Sequence, residues 1–226
     1  FGIIDENGNN ILNNEYSYIE HIFKDYYIIN ENGKTSVYDA NTKKQIISNY
    51  SVIQKIENKN MLQAIITEPY TIELYNDNME KVAQMKNAKL TIEKEYVKLE
   101  SQTQREYFDK NANKIQAKNI FTNSNLFAFS ENGKWGYKDK EEKVIIAPIY
   151  DSATELNTQG FAGIRKDNKW GVINKEGKII FNDNETSLIS DKVPSEYWTE
   201  EKKNLFNEKL RKNINELLDD VCTSCN

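Results

Sequence analysis

The sequence contains one histidine, two cysteines and three prolines in 226 residues, and each scarcity closes a class of chemistry. A single histidine, His21, excludes a His-rich metal centre. The two cysteines, Cys222 and Cys225, form a Cys-x-x-Cys near the C-terminus. A zinc site needs two more ligands, and the chain offers no other cysteine and one distant histidine. A thioredoxin-like pair sits at a helix N-terminus, where the dipole lowers the thiol pKa; this pair follows an expected helix C-terminus. A local disulfide, or two free thiols, is the expectation, with half of a metal site open only to a chain continuing past Asn226. No apolar stretch reaches the roughly 20 residues of a membrane helix, so no membrane insertion is expected. Net charge is −5, and no Lys/Arg run forms the basic stripe of a nucleic-acid binder.

Aromatic residues are plentiful against this background: Phe, Tyr and Trp number 25, although the hydrophobic fraction is 38%. Aromatic and β-branched side chains suit half-buried pleated surfaces, which points to strands. The abundance of Asn, Lys, Ile and Glu is a codon bias expected of an AT-rich bacterial genome.

An internal repeat organises the chain. Lys134-Trp135-Gly136-Tyr137-Lys138-Asp139 recurs as Lys169-Trp170-Gly171-Val172-Ile173-Asn174, 35 residues later. With the tryptophan as anchor, further copies align at Phe1, Thr35, Ile72 and Arg105, so six copies have spacings of 34, 37, 33, 30 and 35. Four residues past each anchor stand Asp5, Asp39, Asn76, Asp109, Asp139 and Asn174, all Asp or Asn. Fifteen residues past three anchors stand Tyr16, Tyr50 and Tyr150. The copies at Ile72 and Arg105 have lost both the Trp-Gly pair and the tyrosine.

Each unit reads as a three-stranded antiparallel meander. A strand such as 126–130 ends at the turn Glu131-Asn132-Gly133-Lys134, the Trp-Gly strand follows, and the Asp/Asn opens a second tight turn before an Ile/Val-rich strand such as 144–146. The Asp/Asn side chain is suited to accept a bond from the amide two residues on, and a Gly after a large aromatic allows close backbone approach. Such a meander cannot bury both faces alone, so units must stack. The expected fold is all-β, either a propeller-like ring or an open β-superhelix over residues 1–190. Phe1 falls inside a repeat, as expected of a piece of a longer protein, and residues 185–190 would either complete a ring or form a linker. Residues 191–226 form the second segment. Pro194 breaks the chain, and Phe206, Leu210, Ile214, Leu217 and Val221 recur at helical spacing, predicting an amphipathic helix that caps the array.

The strings Asn132 to Asp139 and Lys143 to Asp151 (NGKWGYKD and KVIIAPIYD) resemble the bacterial WG repeat, with its Trp-Gly start, an Asp a few residues on and a Pro-x-Tyr-Asp close. Residues 167–180 match well and 2–16 in part, so the resemblance spans about residues 1–181. It implies a repeat scaffold, often in secreted or cell-envelope proteins, and brings no catalytic residues with it.

The remaining candidates for chemistry read as structural. His21 aligns with Lys55 of the next copy, a surface position rather than a general base. Asp5-Glu6-Asn7-Gly8-Asn9-Asn10 fails the EF-hand pattern, which needs Gly at position six and Glu at twelve; it reads as a turn, as does the stretch from Asp109. Trp135 and Trp170 are either packing residues or ligand-stacking platforms, packing being the reading preferred. The 35 carboxylates show no pair in apolar surroundings. No catalytic residue, metal or cofactor is expected. The function expected is a non-catalytic scaffold for a protein or peptide partner, extracellular or at the envelope. The alternatives are a cell-wall or glycan-binding module, and an enzyme with its site in the divergent copies around residues 62–120.

Overall fold

The computed structural model describes residues 1–167 and 169–182, and within them the chain is a succession of small antiparallel sheets. The first pairs β1 (Ile3–Ile4) with β2 (Asn10–Leu12). The second comprises β3 (Tyr18–Phe23), β4 (Tyr26–Glu31), β5 (Lys34–Asp39) and β6 (Lys44–Tyr50). The third is β7 (Val52–Lys55), β8 (Met61–Thr67), β9 (Tyr70–Asn76) and β10 (Lys81–Lys86), and the fourth is β11 (Lys89–Ile92), β12 (Val97–Glu100), β13 (Arg105–Phe108) and β14 (Lys114–Ile115). A single helical turn, α1 (Ala117–Ile120), precedes the fifth sheet of β15 (Phe127–Glu131), β16 (Lys134–Lys138) and β17 (Val144–Tyr150). The sixth holds β18 (Ser152–Ala153), β19 (Phe161–Lys166), β20 (Lys169–Asn174) and β21 (Ile179–Asn182).

The expected three-stranded meander is corrected here, since four of these sheets have four strands, in sequential order. The added strand is the segment that follows each tyrosine of the +15 column. Such a segment opens the next sheet: β6 ends at Tyr50, the Ser51 amide already bonds to the Ile65 carbonyl, and β7 pairs with β8. Its backbone groups need partners, and the following strand supplies them. Thr35, Ile72, Arg105, Trp135 and Trp170 accordingly lie in the third strand of a full sheet, or in the matching strand β16 of the fifth, and Phe1 just precedes β1.

Two compact units divide the chain. One holds residues 1–101 and 106–115; the other holds Gln102–Arg105 and the described residues from Gln116 on. In the first unit Ile22, Ile28, Val37 and Ile47 pack with Ile53, Leu62, Ala64 and Tyr75, while Met61, Ile72 and Leu74 pack with Val97, Leu99 and Phe108. Consecutive residues therefore enter different cores: Leu62 and Tyr75 face the second sheet, Met61 and Leu74 the fourth. A sheet buried on both faces explains why its inner strands read as continuous apolar runs rather than alternation. The outermost strands β6 and β17 are largely solvent-facing instead, and expose Ile46 on β6 and Val144, Ile145 and Ile149 on β17. In the second unit Leu126, Trp135, Tyr137 and Tyr150 pack with Ala153, Leu156, Ala162, Ile164 and Ile173.

Local signals set the turns. Asn32-Gly33 and Asn132-Gly133 carry φ of 51°, 76°, 52° and 76°, the doubly left-handed pair of a type I′ hairpin. No helix among the described residues is long and apolar enough to cross a membrane. The C-terminal helix, the 185–190 segment, Cys222 and Cys225 lie outside the described residues.

Candidate functional site

Five of the six members of the Asp/Asn column close the turn after their strands in the same way, and Asp39 does so with a variant. Asp5 Oδ1 accepts the amides of Asn7 and Asn9, Asn76 Oδ1 those of Asn78 and Glu80, and Asp109 Oδ1 those of Asn111 and Asn113. Asp139 and Asn174 bind the amides two and four residues on, and Asp39 those two and three residues on. The residue three positions on has positive φ in five of these turns, from Gly8 at 83° to Met79 at 63°. That is a type I turn closed by a left-handed residue. Asp5 and Asp109 thus cap turns. For Asp109, burial alone would raise the carboxyl pKa; the bonds from Asn113 and the Asn111 amide outweigh it and hold the group below its ordinary value.

Trp135 and Gly136 fix the packing of the fifth sheet within the second unit. Trp135 is 3% exposed, its indole Nε1 donates to the Gln102 carbonyl at 2.7 Å, and it faces Tyr150 across the strand pair. A Cβ on Gly136 would lie 2.4 Å from the Ile146 carbonyl oxygen and 2.8 Å from Pro148 N, so the neighbouring backbone occupies the space of a side chain. Gly2 is placed alike, 2.8 Å from the Leu12 oxygen. The tyrosine column pairs with the anchors: Tyr150 with Trp135, Tyr50 with Thr35, and the Tyr16 amide with the Phe1 carbonyl. Trp170 and Gly171 occupy β20, facing Arg165 and Ile164 of β19.

Two buried polar networks were not legible as sites in the sequence. In the first unit Glu73, 3% exposed, accepts the hydroxyls of Tyr50 and Tyr75 at 2.6 Å each and the Lys81 ammonium at 2.7 Å. Burial pushes the Glu73 pKa up, but these three donors prevail and leave it below the ordinary value. Burial, then the bond to Glu73, pushes the Tyr75 hydroxyl well above its usual range. In the second unit Arg105 stacks on Trp135 at 4.6 Å, pairs with Glu155 at 3.2 Å and donates to the Ala153 carbonyl at 2.6 Å. Glu155 also accepts the Ala128 amide, and Tyr137, fully buried and raised well above its usual pKa first by burial, donates to Thr154. Arg105 is one of three arginines among 30 basic residues. A planar guanidinium where lysine is the rule was the available signal, since only arginine both stacks and forks.

A third feature is a cleft of about 450 Å³ in the second unit. One side comes from Ile120 at the end of α1 and residues 121–125 between α1 and β15, the other from residues 156–160 between β18 and β19, with Lys175. Asn157 fixes the second loop with the turn used by the Asp/Asn column, accepting the amides of Gln159 and Phe161 at 3.0 Å. Asn123, Asn125, Thr158, Gln159 and Lys175 are exposed, whereas Phe121 is half-buried and Leu156 buried. The lining contains amides, hydroxyls and one ammonium, without a carboxylate.

His21 is exposed, with Nε2 2.6 Å from the Lys24 carbonyl and its ring edge-on to Tyr27. Of the tyrosines among the described residues, Tyr18 and Tyr70 are the exposed ones.

The family model of the WG containing repeat matches residues 1–34 and 135–170, each about one period long and each opening on an anchor. The chain is consistent with a WG repeat protein on those segments. No curated protein matches the sequence. Solved structures similar to it include KlHsv2 with loop 6CD replaced by a Gly-Ser linker, at 14% identity over 73% of this chain and 64% of that one, with a TM-score of 0.32. Kluyvelomyces marxianus Hsv2 shares 12% identity over 70% of this chain and 58% of its own, TM-score 0.31. The AfRom2 CNH domain shares 9% over 79% and 74%, TM-score 0.30. The chain therefore spans less than two thirds of the length of either Hsv2 chain.

Proposed function

We propose that the chain is a non-catalytic repeat scaffold of six units of about 35 residues that binds a protein or peptide partner, at the bacterial envelope or outside the cell. The observation that carries this reading is the use made of the buried carboxylates. Glu73 and Glu155 are each engaged by several partners that tie strands together. A general acid needs a raised pKa and access to substrate, and Glu73, within the divergent copies of residues 62–120, has a lowered one. Repeat arrays whose chemistry is structural present surface, and surface is what partners recognise.

The test pairs two screens. The immobilised chain is exposed to a phage-displayed peptide library and, separately, to a glycan array with peptidoglycan sedimentation. Enriched peptides that bind saturably at micromolar concentration or better, with no glycan retained, support the proposal. Glycan retention without peptide enrichment would replace it with the cell-wall reading. That alternative has less support here, because sugar sites favour exposed aromatic faces, and Trp135, Tyr137 and Tyr150 are buried. Envelope placement is tested by fractionating source cells and probing with an antibody; recovery in the cytosolic fraction alone would remove it.

A further inference from the structure

We infer that the cleft between residues 120–125 and 156–160 binds a short extended peptide segment of a partner protein, uncharged or bearing one carboxylate. This rests on the scaffold reading and gives it an address.

Two independent observations carry it. The first is where the repeat is broken. In the other full sheets a first strand stands before the inner pair, as β3, β7, β11 and β18 do; the fifth sheet has α1 and the loop 121–126 in that place. The facing loop, residues 154–160, joins β18 to β19, where residues 24–25, 56–60 and 93–96 join the matching strands of the other full sheets. The first wall is thus a departure from the pattern of the full sheets, and the second is the longest loop at its position. Departures from local consistency concentrate where function, rather than folding, selects the sequence.

The second observation is the chemistry of the walls. Asn123, Asn125 and Gln159 carry side-chain amides, and Thr122 and Thr158 carry hydroxyls. An amide donates and accepts from one planar group, as does the backbone of an extended chain, whose N–H and C=O groups are unpaired until something meets them. The volume falls within the 300–1,000 Å³ range of ordinary ligand clefts. Lys175 is the one ionised lining residue; it lies 3.9 Å from the Glu176 carboxylate and is largely exposed. On a chain of net charge −5, a carboxylate-free cleft with one ammonium selects against basic segments more than the rest of the surface does and favours an acidic group near Lys175. Phe121, the lining aromatic, is half-buried, which favours a peptide over a stacked sugar.

The experiment uses the full chain and the peptides enriched from the phage library. Asn125→Ala combined with Asn123→Ala, and separately Thr158→Trp to fill the space, should each weaken binding at least about tenfold. Lys175→Glu should weaken a carboxylate-bearing peptide about threefold or more and leave its uncharged analogue unaffected. Glu131→Ala, on the neighbouring hairpin, serves as the control. Circular dichroism verifies the fold of each variant, and 15N-resolved titration of the parent should move the amides of 121–125 and 157–160 first. Peptides that bind the parent with undiminished affinity for both cleft variants would overturn the cleft and leave the scaffold reading standing. A library that yields no binder would remove both, and chitooligosaccharide shifts at these amides without peptide shifts would assign the cleft to glycans instead.

Discussion

A methyl group at position 136 would meet the Ile146 carbonyl oxygen at 2.4 Å, closer than any relaxed contact, and the partner is backbone that cannot rotate away. Gly136→Ala should therefore destabilise the second unit by about 1–3 kcal/mol or more, as overpacking does, read as a lower denaturant midpoint in Trp fluorescence. An unchanged midpoint would show that β17 shifts freely. Glu73 offers a test with a sign in pH. Its folded pKa lies below the ordinary value, so the stability it contributes is present above the ordinary glutamate pKa, about 4.3, and is lost as pH falls through the lower folded value. Glu73→Gln should cost about 1–3 kcal/mol at pH 7, and the gap to the parent should close on acidification through that window. A gap that stays constant down to pH 3 would contradict the charge-assisted role.

Elements show which parts of the fold the sequence carries openly. The hairpins were legible because their signals are local: Asn-Gly between β4 and β5 and between β15 and β16, and the Asp/Asn that binds the amides just beyond it. The extra first strand was not, because β7 follows β6 after one residue and reads as its continuation; its identity is fixed by pairing with β8, which no local pattern states. The Arg105–Glu155 pair joins residues 50 apart, and the cleft walls are defined by what they lack relative to other repeats. Such features become visible only when the strands are placed. The pair is 6% and 10% exposed, so breaking it leaves a buried charge: Glu155→Ala should cost about 3–5 kcal/mol in thermal or chemical unfolding. Arg105→Lys, which keeps the charge but loses planar stacking on Trp135, should also shift the Trp emission. A Glu155→Ala variant as stable as the parent would show that the pair is solvated in solution.

For the molecule as a whole, the two units have separate core clusters, and the tryptophans among the described residues, Trp135 and Trp170, belong to the second. Stability in a repeat protein is close to a sum over units and their neighbours. Gly136→Ala should consequently lower the fluorescence-detected midpoint while part of the far-UV signal keeps the parental one. A single shifted transition in both probes would show that unfolding is one event. The recurrent turn has a consequence of another kind. Four of its six capping residues are Asp and two are Asn, and the bonds that define the turn use one oxygen that both residues possess. The second oxygen of Asp5, Asp39 and Asp109 also accepts the side chains of Asn9, Thr42 and Asn113, whereas Asp139 is bound by backbone amides: changing Asp139 to asparagine removes one negative charge, from −5 to −4, with the turn still closed. A lineage carrying this fold adjusts its colloidal repulsion and its long-range field at a turn like that of Asp139 without renegotiating a strand, and at the other aspartates by changing the facing side chain together with the charge.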